Sequence, residues 1–241
     1  VEMLVGSHDL LHRPQLFKAG FDVIRTDFNG TGRSNPVEIY RENGTLARKL
    51  VFGGPSTQHV ESLDLAFFLQ DRVQLQKRVL LELGARVDHD GVMDRTTSTP
   101  RVGAVWLLDE SGSSVIRGGY GLFFERTPSV AGAFTQFETA LDTRYAADGV
   151  TPLSALQQVP LVNGPLNVAR SATWNLEWDK RITPALSLRA SLLDRHGRDE
   201  LVVRPIAAPQ GSGTLGLQLT SDGRSLYREA ELTMQIGRAH V

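Results

Sequence analysis

The sequence predicts an all-β fold, an antiparallel transmembrane β-barrel represented by about ten strands, and three observations predict it. Long segments alternate apolar and polar residues with period two, as in Lys77–Asp88, where Val79, Leu81, Leu83, Ala85 and Val87 oppose Glu82, Gly84, Arg86 and Asp88. Such segments exceed 10 residues, whereas strands of soluble sheets average about 5 to 6 and a tilted membrane-crossing strand needs about 9 to 11. The longest apolar runs, such as Leu65–Leu69, have five residues; a membrane helix needs about 20, so a crossing must use strands, and in lipid those strands must close. Finally, short turns alternate along the chain with long connectors, the loop asymmetry of an outer-membrane barrel.

The elements follow in order. Leu16–Phe28 reads as a strand with Phe17, Ala19, Phe21 and Val23 against Lys18, Gly20 and Asp22, and the Gly- and Asn-rich Asn29–Asn35 reads as a loop. Val37–Tyr40 and Leu46–Phe52 flank Asn43-Gly44, a strong hairpin signal. Leu63–Leu75 alternates except at Phe68 and Asp71, and Lys77–Asp88 except at Leu80. Pro100–Leu108 and Ser114–Glu125 flank the turn Asp109–Ser113. Thr127–Ala169 has little periodicity, with one short helix expected at Ser154–Val159. Trp174–Arg181 and Ala185–Leu193 flank Thr183-Pro184, Arg195–Gly213 reads as a long connector, and Leu215–Leu219 and Leu226–Ile236 close the chain around Ser221-Asp222-Gly223.

Composition narrows the function. With 41% hydrophobic and 22% charged residues and a net charge of -1, the chain lacks the basic excess of a nucleic-acid binder. It has 0 cysteines, which excludes disulfides, thiolate catalysis and Cys-ligated zinc. Val1–Gly6 is neither a Met start nor a signal peptide, so a missing beginning is expected.

Chemical motifs are weak. Gly30-Thr31-Gly32-Arg33-Ser34 lacks the lysine and the helix of a P-loop. Gly118-Gly119-Tyr120-Gly121 sits inside an alternating strand, where small residues on one face make room for neighbouring mass. Asp88-His89-Asp90 with Asp94 is the best acidic cluster for Ca²⁺, but it lacks EF-hand spacing and reads as a solvated turn. His8, His12, His59 and His196 show no paired-ligand spacing, and no GxSxG elbow is present. No catalytic, cofactor or metal residue is therefore assigned, and the chain does not read as an enzyme. Trp106, Tyr120, Phe123, Phe124, Trp174 and Trp178 suit either an aromatic girdle at the membrane interfaces or packing between two sheets.

The runs AFFLQDRVQLQKRVLLELGARVDHDG (Ala66–Gly91) and TPRVGAVWLLDESGSSVIRGGYGLFFERTP (Thr99–Pro128) resemble the barrel of a TonB-dependent outer-membrane receptor, in particular the large Acidobacteria-like type that carries a carboxypeptidase-regulatory-like domain. SATWNLEWDKRITPALSLRASLLDRHGRDEL (Ser171–Leu201) is similar to a later hairpin and KAGFDV (Lys18–Val23) to an earlier one. The resemblance implies a plugged barrel of about 22 strands in the outer membrane, energised through the TonB complex and importing a scarce nutrient such as a siderophore or a glycan. No plug or TonB-contacting box occurs here, so residues 1–234 are expected to be a partial barrel, with TonB met through the missing N-terminal region. Gln235–Val241, including His240, resembles the in-frame translation of a sequencing adapter and is expected to be a non-native tail.

Two functions follow. In a transport receptor, an unidentified small-molecule or oligomeric ligand would meet Thr127–Ala169 and then a lumen lined by Glu82, Arg86, Asp88, Asn175, Glu177 and Asp179, while the outer wall meets membrane lipid. In the alternative, a soluble β-sandwich for binding or adhesion, the apolar faces would pack on each other.

Overall fold

The computed structural model describes residues 2–10, 13–162, 164–207 and 213–237, with side chains from residue 13 onward. His12, His240 and residues 238–241 of the expected tail lie outside the described residues, and of His8 only the backbone is described. Thirteen strands form a single sheet, against the roughly ten expected. Nine of them make a meander: β1 (Glu2–Leu10), β2 (Arg13–Thr31), β5 (Thr57–Gln76), β6 (Val79–Asp90), β7 (Arg95–Leu107), β8 (Ser114–Phe124), β11 (Arg170–Thr183), β12 (Leu186–Ala207) and β13 (Thr214–Ile236). Neighbours along it pair antiparallel throughout. Short turns after β5, β7 and β11 share one end of the sheet, and the two long connectors share the other.

Paired residues on neighbouring strands face the same side, so register turns sequence alternation into two continuous surfaces. One apolar row runs Val73, Leu81, Ala104, Gly118, Leu176, Leu192, Ala230. The next toward the short-turn end runs Val79, Trp106, Ile116, Trp178, Ala190, Leu232. Apart from Val73, these side chains are not buried in a core. Leu83 is 45% exposed, Trp106 53% and Leu232 72%, and no large side chain among the described residues is fully buried. The chain of 26.5 kDa exposes 15928 Å², whereas a compact soluble monomer of that mass exposes roughly 10,700 Å². An exposed apolar face of this extent marks a surface built to meet a membrane or another protein layer. The sandwich alternative is overturned, because the described residues form one sheet, the one expected of a barrel, and offer no second sheet for this face to pack on.

Both long connectors are folded. β3 (Val37–Tyr40) and β4 (Leu46–Gly53) lie between β2 and β5, joined by a turn in which Gly44 takes φ 81°, as Asn43-Gly44 predicts. Between β8 and β11 come α1 (Ser129–Gly132), a 3₁₀ turn at Phe134–Gln136, β9 (Thr139–Tyr145) and β10 (Pro152–Val162). β9 pairs with β4 and β10 runs parallel to the start of β13, so the two connectors hydrogen-bond into one sheet. Arg48 clamps them, donating to both carboxylate oxygens of buried Asp142 at 2.6 and 2.5 Å; bidentate charged bonds are the strong kind.

Three expectations are corrected here. Ser154–Val159 is strand β10, not helix: Ala155, Leu156 and the glutamines favour helix locally, but pairing with β9 and β13 overrides that preference. Arg195–Gly213 is mostly strand, since β12 continues to Ala207. Ser221-Asp222-Gly223 is no turn but lies within β13; the irregularity there falls on both strands, with an extra residue on β12 at Asp199 (φ 58°), between Arg198 and Glu200, and one on β13 at Ser221-Asp222, between the pairs Glu200–Gly223 and Val202–Thr220.

Candidate functional site

The opposite face of the meander is polar and lined with ions. Glu82, Gly103, Gly119 and Asn175 form one row across β6, β7, β8 and β11. Glu177 and Asp179 follow on β11, and Arg86 and Asp88 on β6, so all six residues expected on the polar wall share this face. Arg72 meets Glu82 at 2.8 Å, and Arg86 meets Asp88 at 2.7 Å and Asp22 at 3.1 Å. Arg117 bridges Glu177 at 2.8 Å and Asp179, which also accepts from Arg189 at 2.7 Å. Half-exposed pairs of this sort contribute about 0 to 1 kcal/mol each; their main effect is to neutralise one another and leave a hydrated wall with little net field.

Arg101 is the exception, and sequence reasoning missed it. It has no carboxylate partner among the described residues, and it lies in a row between Gly84 and Gly121. A Cβ at Gly84 would sit 2.8 Å from Arg101 Cγ, so the missing side chain is the trough in which the arginine stem rests. It borders a cleft of about 390 Å³ with Asp22, Arg86, Asp88, Phe123 and Arg126. The glycine run divides: Gly119 and Gly121 open the polar face, while Gly118 lies on the apolar one between Ala104 and Leu176.

The root of the second connector is tied down by carboxylates. Asp90, 8% exposed, accepts from the amides of Val92 (3.0 Å) and Met93 (2.8 Å) with one oxygen and from the Thr127 amide (2.9 Å) with the other. Asp64 accepts from the Gly91 amide (2.8 Å) and from Arg126 Nε (2.5 Å), whose Nη2 also donates to Thr26 (2.6 Å). The cluster Asp88-His89-Asp90-Asp94 therefore does not converge. Asp88 belongs to Arg86, Asp90 caps the turn, and His89 Nε2 stands 3.8 Å from Asp94. Among the described residues no three His, Asp or Glu side chains are grouped to hold a metal ion. His59 meets Asn29 at 2.7 Å and His196 meets Asp194 at 2.6 Å, far apart on different strands. Gly30-Thr31-Gly32-Arg33-Ser34 ends β2 with no helix after it, and the Ser34 amide donates to Glu138 at 2.8 Å.

The aromatic set also divides. Trp106, Tyr120, Trp174 and Trp178 stand on the apolar face, with Phe124 in register beside Arg170, whereas Phe123 turns to the polar side. Trp106 and Trp178 share a row, and the Trp178 ring N–H donates to Ser114 at 3.0 Å, at the short-turn end. Tyr120 and Trp174 share another row about 13 Å along the strands. Among the described residues no second sheet covers these rings, and Trp106, Tyr120, Trp174 and Trp178 remain exposed.

In the β9–β10 turn, the Asp148 carboxyl accepts from the Thr151 hydroxyl and from the amides of Thr151 and Val150, bonds that lower its pKa from 3.8 to about 2. A lowered pKa stabilises the turn above the unfolded value and loses that contribution as pH falls through the folded one. We expect amide protection of Val150 and Thr151 to hold above pH 3.8, to fall toward about pH 2, and to be weak at all pH in Asp148→Ala, as hydrogen exchange would show.

Compared with known proteins, residues 5–237 match the family model described as TonB dependent receptor-like, beta-barrel. No curated protein matches the sequence. Among solved structures, the outer membrane transporter YddB from Escherichia coli superposes with TM-score 0.72 at 14% identity, over 98% of this chain and 29% of that one. The siderophore receptor PirA from Acinetobacter baumannii gives 0.60 at 13% identity, over 93% and 32%. The ferric enterobactin receptor PfeA, solved in complex with BCV-L6, gives 0.60 at 11%, over 96% and 32%. The chain thus spans about a third of the length of these proteins.

Proposed function

The chain belongs to the family of TonB-dependent receptor-like β-barrels, proteins of the outer membrane, and from that premise we propose that it forms part of the wall of a transporter that takes up a scarce nutrient, a siderophore, a glycan or a compound of that kind. One observation carries the reading. A single sheet has one apolar face, which we read as the outward one, and one ion-paired polar face, which we read as the inward one, and at one end its two long connectors pair with each other. Barrels of this sort place long loops outside the cell and short turns in the periplasm. The long-loop end is then where ligand arrives, and the lumen with Arg101 and the adjoining cleft is where it passes. Energy would come from TonB acting through a region outside this chain.

The test uses the full-length receptor in its own cells. This chain has 0 cysteines and Val150 is 77% exposed, so in a full-length receptor with any cysteine outside this chain replaced, Val150→Cys should react with an impermeant maleimide on intact cells, and Ser111→Cys, in a short turn, should react only after lysis. Uptake of a panel of ferric siderophores and oligosaccharides should include at least one compound whose accumulation stops when either the receptor or TonB is removed. Labelling at Ser111→Cys in intact cells would invert the topology, and receptor-dependent uptake that persists without TonB would replace active import by diffusion through a pore.

A further inference from the structure

We propose that the outward face of β11, β12 and β13, just beyond the apolar band on the long-loop side, is a binding site for the phosphate headgroup of an anionic membrane lipid. The register builds the site. Above the apolar row Leu176–Leu192–Ala230 comes Trp174–Asp194–Arg228, then Ala172–His196–Leu226, then Arg170–Arg198–Arg224. These pairs keep the parity of the lipid-facing residues, so four arginines and a histidine leave the sheet on the side that meets the membrane.

Only part of that charge is answered. Arg228 meets Asp194 at 2.8 Å and His196 meets it at 2.6 Å, and Arg170 meets Asp199 at 2.8 Å. Arg198 and Arg224 are exposed and have no acidic partner among the described residues. Arg198 is flanked in its row by Arg170 on one strand and by Arg224 on the other. Like charges directly opposite each other destabilise a sheet, so a row of three arginines is expected where an anion bridges them. Guanidinium groups take phosphate oxygens in bidentate fashion.

Position selects a lipid over a free anion. Headgroup phosphates lie at the border of the hydrocarbon region, and the apolar column beneath the arginines offers Leu226, Ala172, Trp174 and Leu192 to acyl chains. A small anion would use the arginines alone. The inference rests on the outward assignment of this face but not on what the receptor transports.

The experiment compares the full-length receptor with its R198Q/R224Q variant in nanodiscs of phosphatidylcholine containing phosphatidylglycerol, with native mass spectrometry counting retained lipid. Each arginine near an anionic surface strengthens binding about fivefold, so the variant should retain phosphatidylglycerol roughly thirtyfold less well. Phosphatidylcholine retention should be equal in both proteins, Arg198→Lys should retain phosphatidylglycerol better than Arg198→Gln but less well than wild type because it keeps the charge and loses the bidentate fork, and Lys77→Gln at the short-turn end should change nothing. Heat-modifiable migration checks that each variant is folded. Equal phosphatidylglycerol retention in wild type and R198Q/R224Q would overturn the proposal. So would displacement of the lipid by millimolar inorganic phosphate, since the site would then take any small anion.

Discussion

Gly91→Ala is expected to destabilise the barrel segment by about 2.5 to 6 kcal/mol, the sum of an overpacking cost of about 1 to 3 and the loss of a charge-assisted hydrogen bond of about 1.5 to 3. The reason is a backbone-to-backbone contact. A Cβ on Gly91 would lie 2.5 Å from the carbonyl oxygen of Leu63, 2.6 Å from its nitrogen and 2.8 Å from its carbonyl carbon. Leu63 is on β5, where it pairs with Arg25 of β2 and stands two residues from the last β5–β6 pair, Leu65–His89, so it has little freedom to retreat. The turn must move instead, and that withdraws the Gly91 amide from Asp64 and disturbs the Asp90 bonds that hold Thr127. Urea unfolding of the refolded full-length receptor measures the loss, and hydrogen exchange should show protection falling first at Thr127–Gln136. Gly53→Ala, where nothing lies within 4 Å, is the neutral comparison. Equal midpoints for the two variants would mean that β5 and the β6–β7 turn do not approach as described.

Much of this architecture was legible because strand parity is a local property. Leu63, Leu65, Phe67 and Leu69 declare one face of β5 without reference to any partner, and Asn43-Gly44 declares its own hairpin. The exceptions were legible as exceptions only. Phe68 and Leu80 break the alternation because the polar wall admits apolar groups, Phe68 beside Arg86 and Leu80 between Gln74 and Val105, which depends on neighbouring strands. What failed was the far half of β12 and β13. Gly197, Asp199, Pro205 and Gly223 punctuate that stretch like loops, yet the cross-strand pairing that begins at Leu186–Ile236 carries the two strands through it, past two register shifts, to Ala207–Leu215. The paired connectors failed for a similar reason: β9 and β10 are strands only because β4 and β13 lie beside them. Of the candidate site, the polar face could be read from Glu82, Arg86 and Asp88, but not which charge stays unanswered. The isolation of Arg101 follows from two glycines on two other strands, and no window of sequence contains all three.

The sidedness of the wall makes its sharpest prediction at two adjacent residues. Ala104 lies in the apolar row between Leu81 and Gly118, and Gly103, one position before it, lies in the polar row between Glu82 and Gly119. Ala104→Arg puts a guanidinium into hydrocarbon, where arginine costs about 2 to 4 kcal/mol near the bilayer midplane. Gly103→Arg puts the same group into the lumen. There the nearest heavy atoms to a new Cβ stand at 3.8 and 3.9 Å, the second being Glu82 Cβ, so the side chain has room and a carboxylate close by. Its cost should be about 0 to 1 kcal/mol, set by a half-exposed ion pair against lost rotamer freedom. Folding of the two full-length variants into lipid vesicles, followed by urea titration, therefore separates them by at least about 1 kcal/mol in one direction. Were the sheet a soluble layer with solvent on both sides, the variants would cost the same; were it inside out, Gly103→Arg would be the damaging one. Only a wall with lipid on the Ala104 side and water on the Gly103 side makes one residue of displacement along β7 worth that difference.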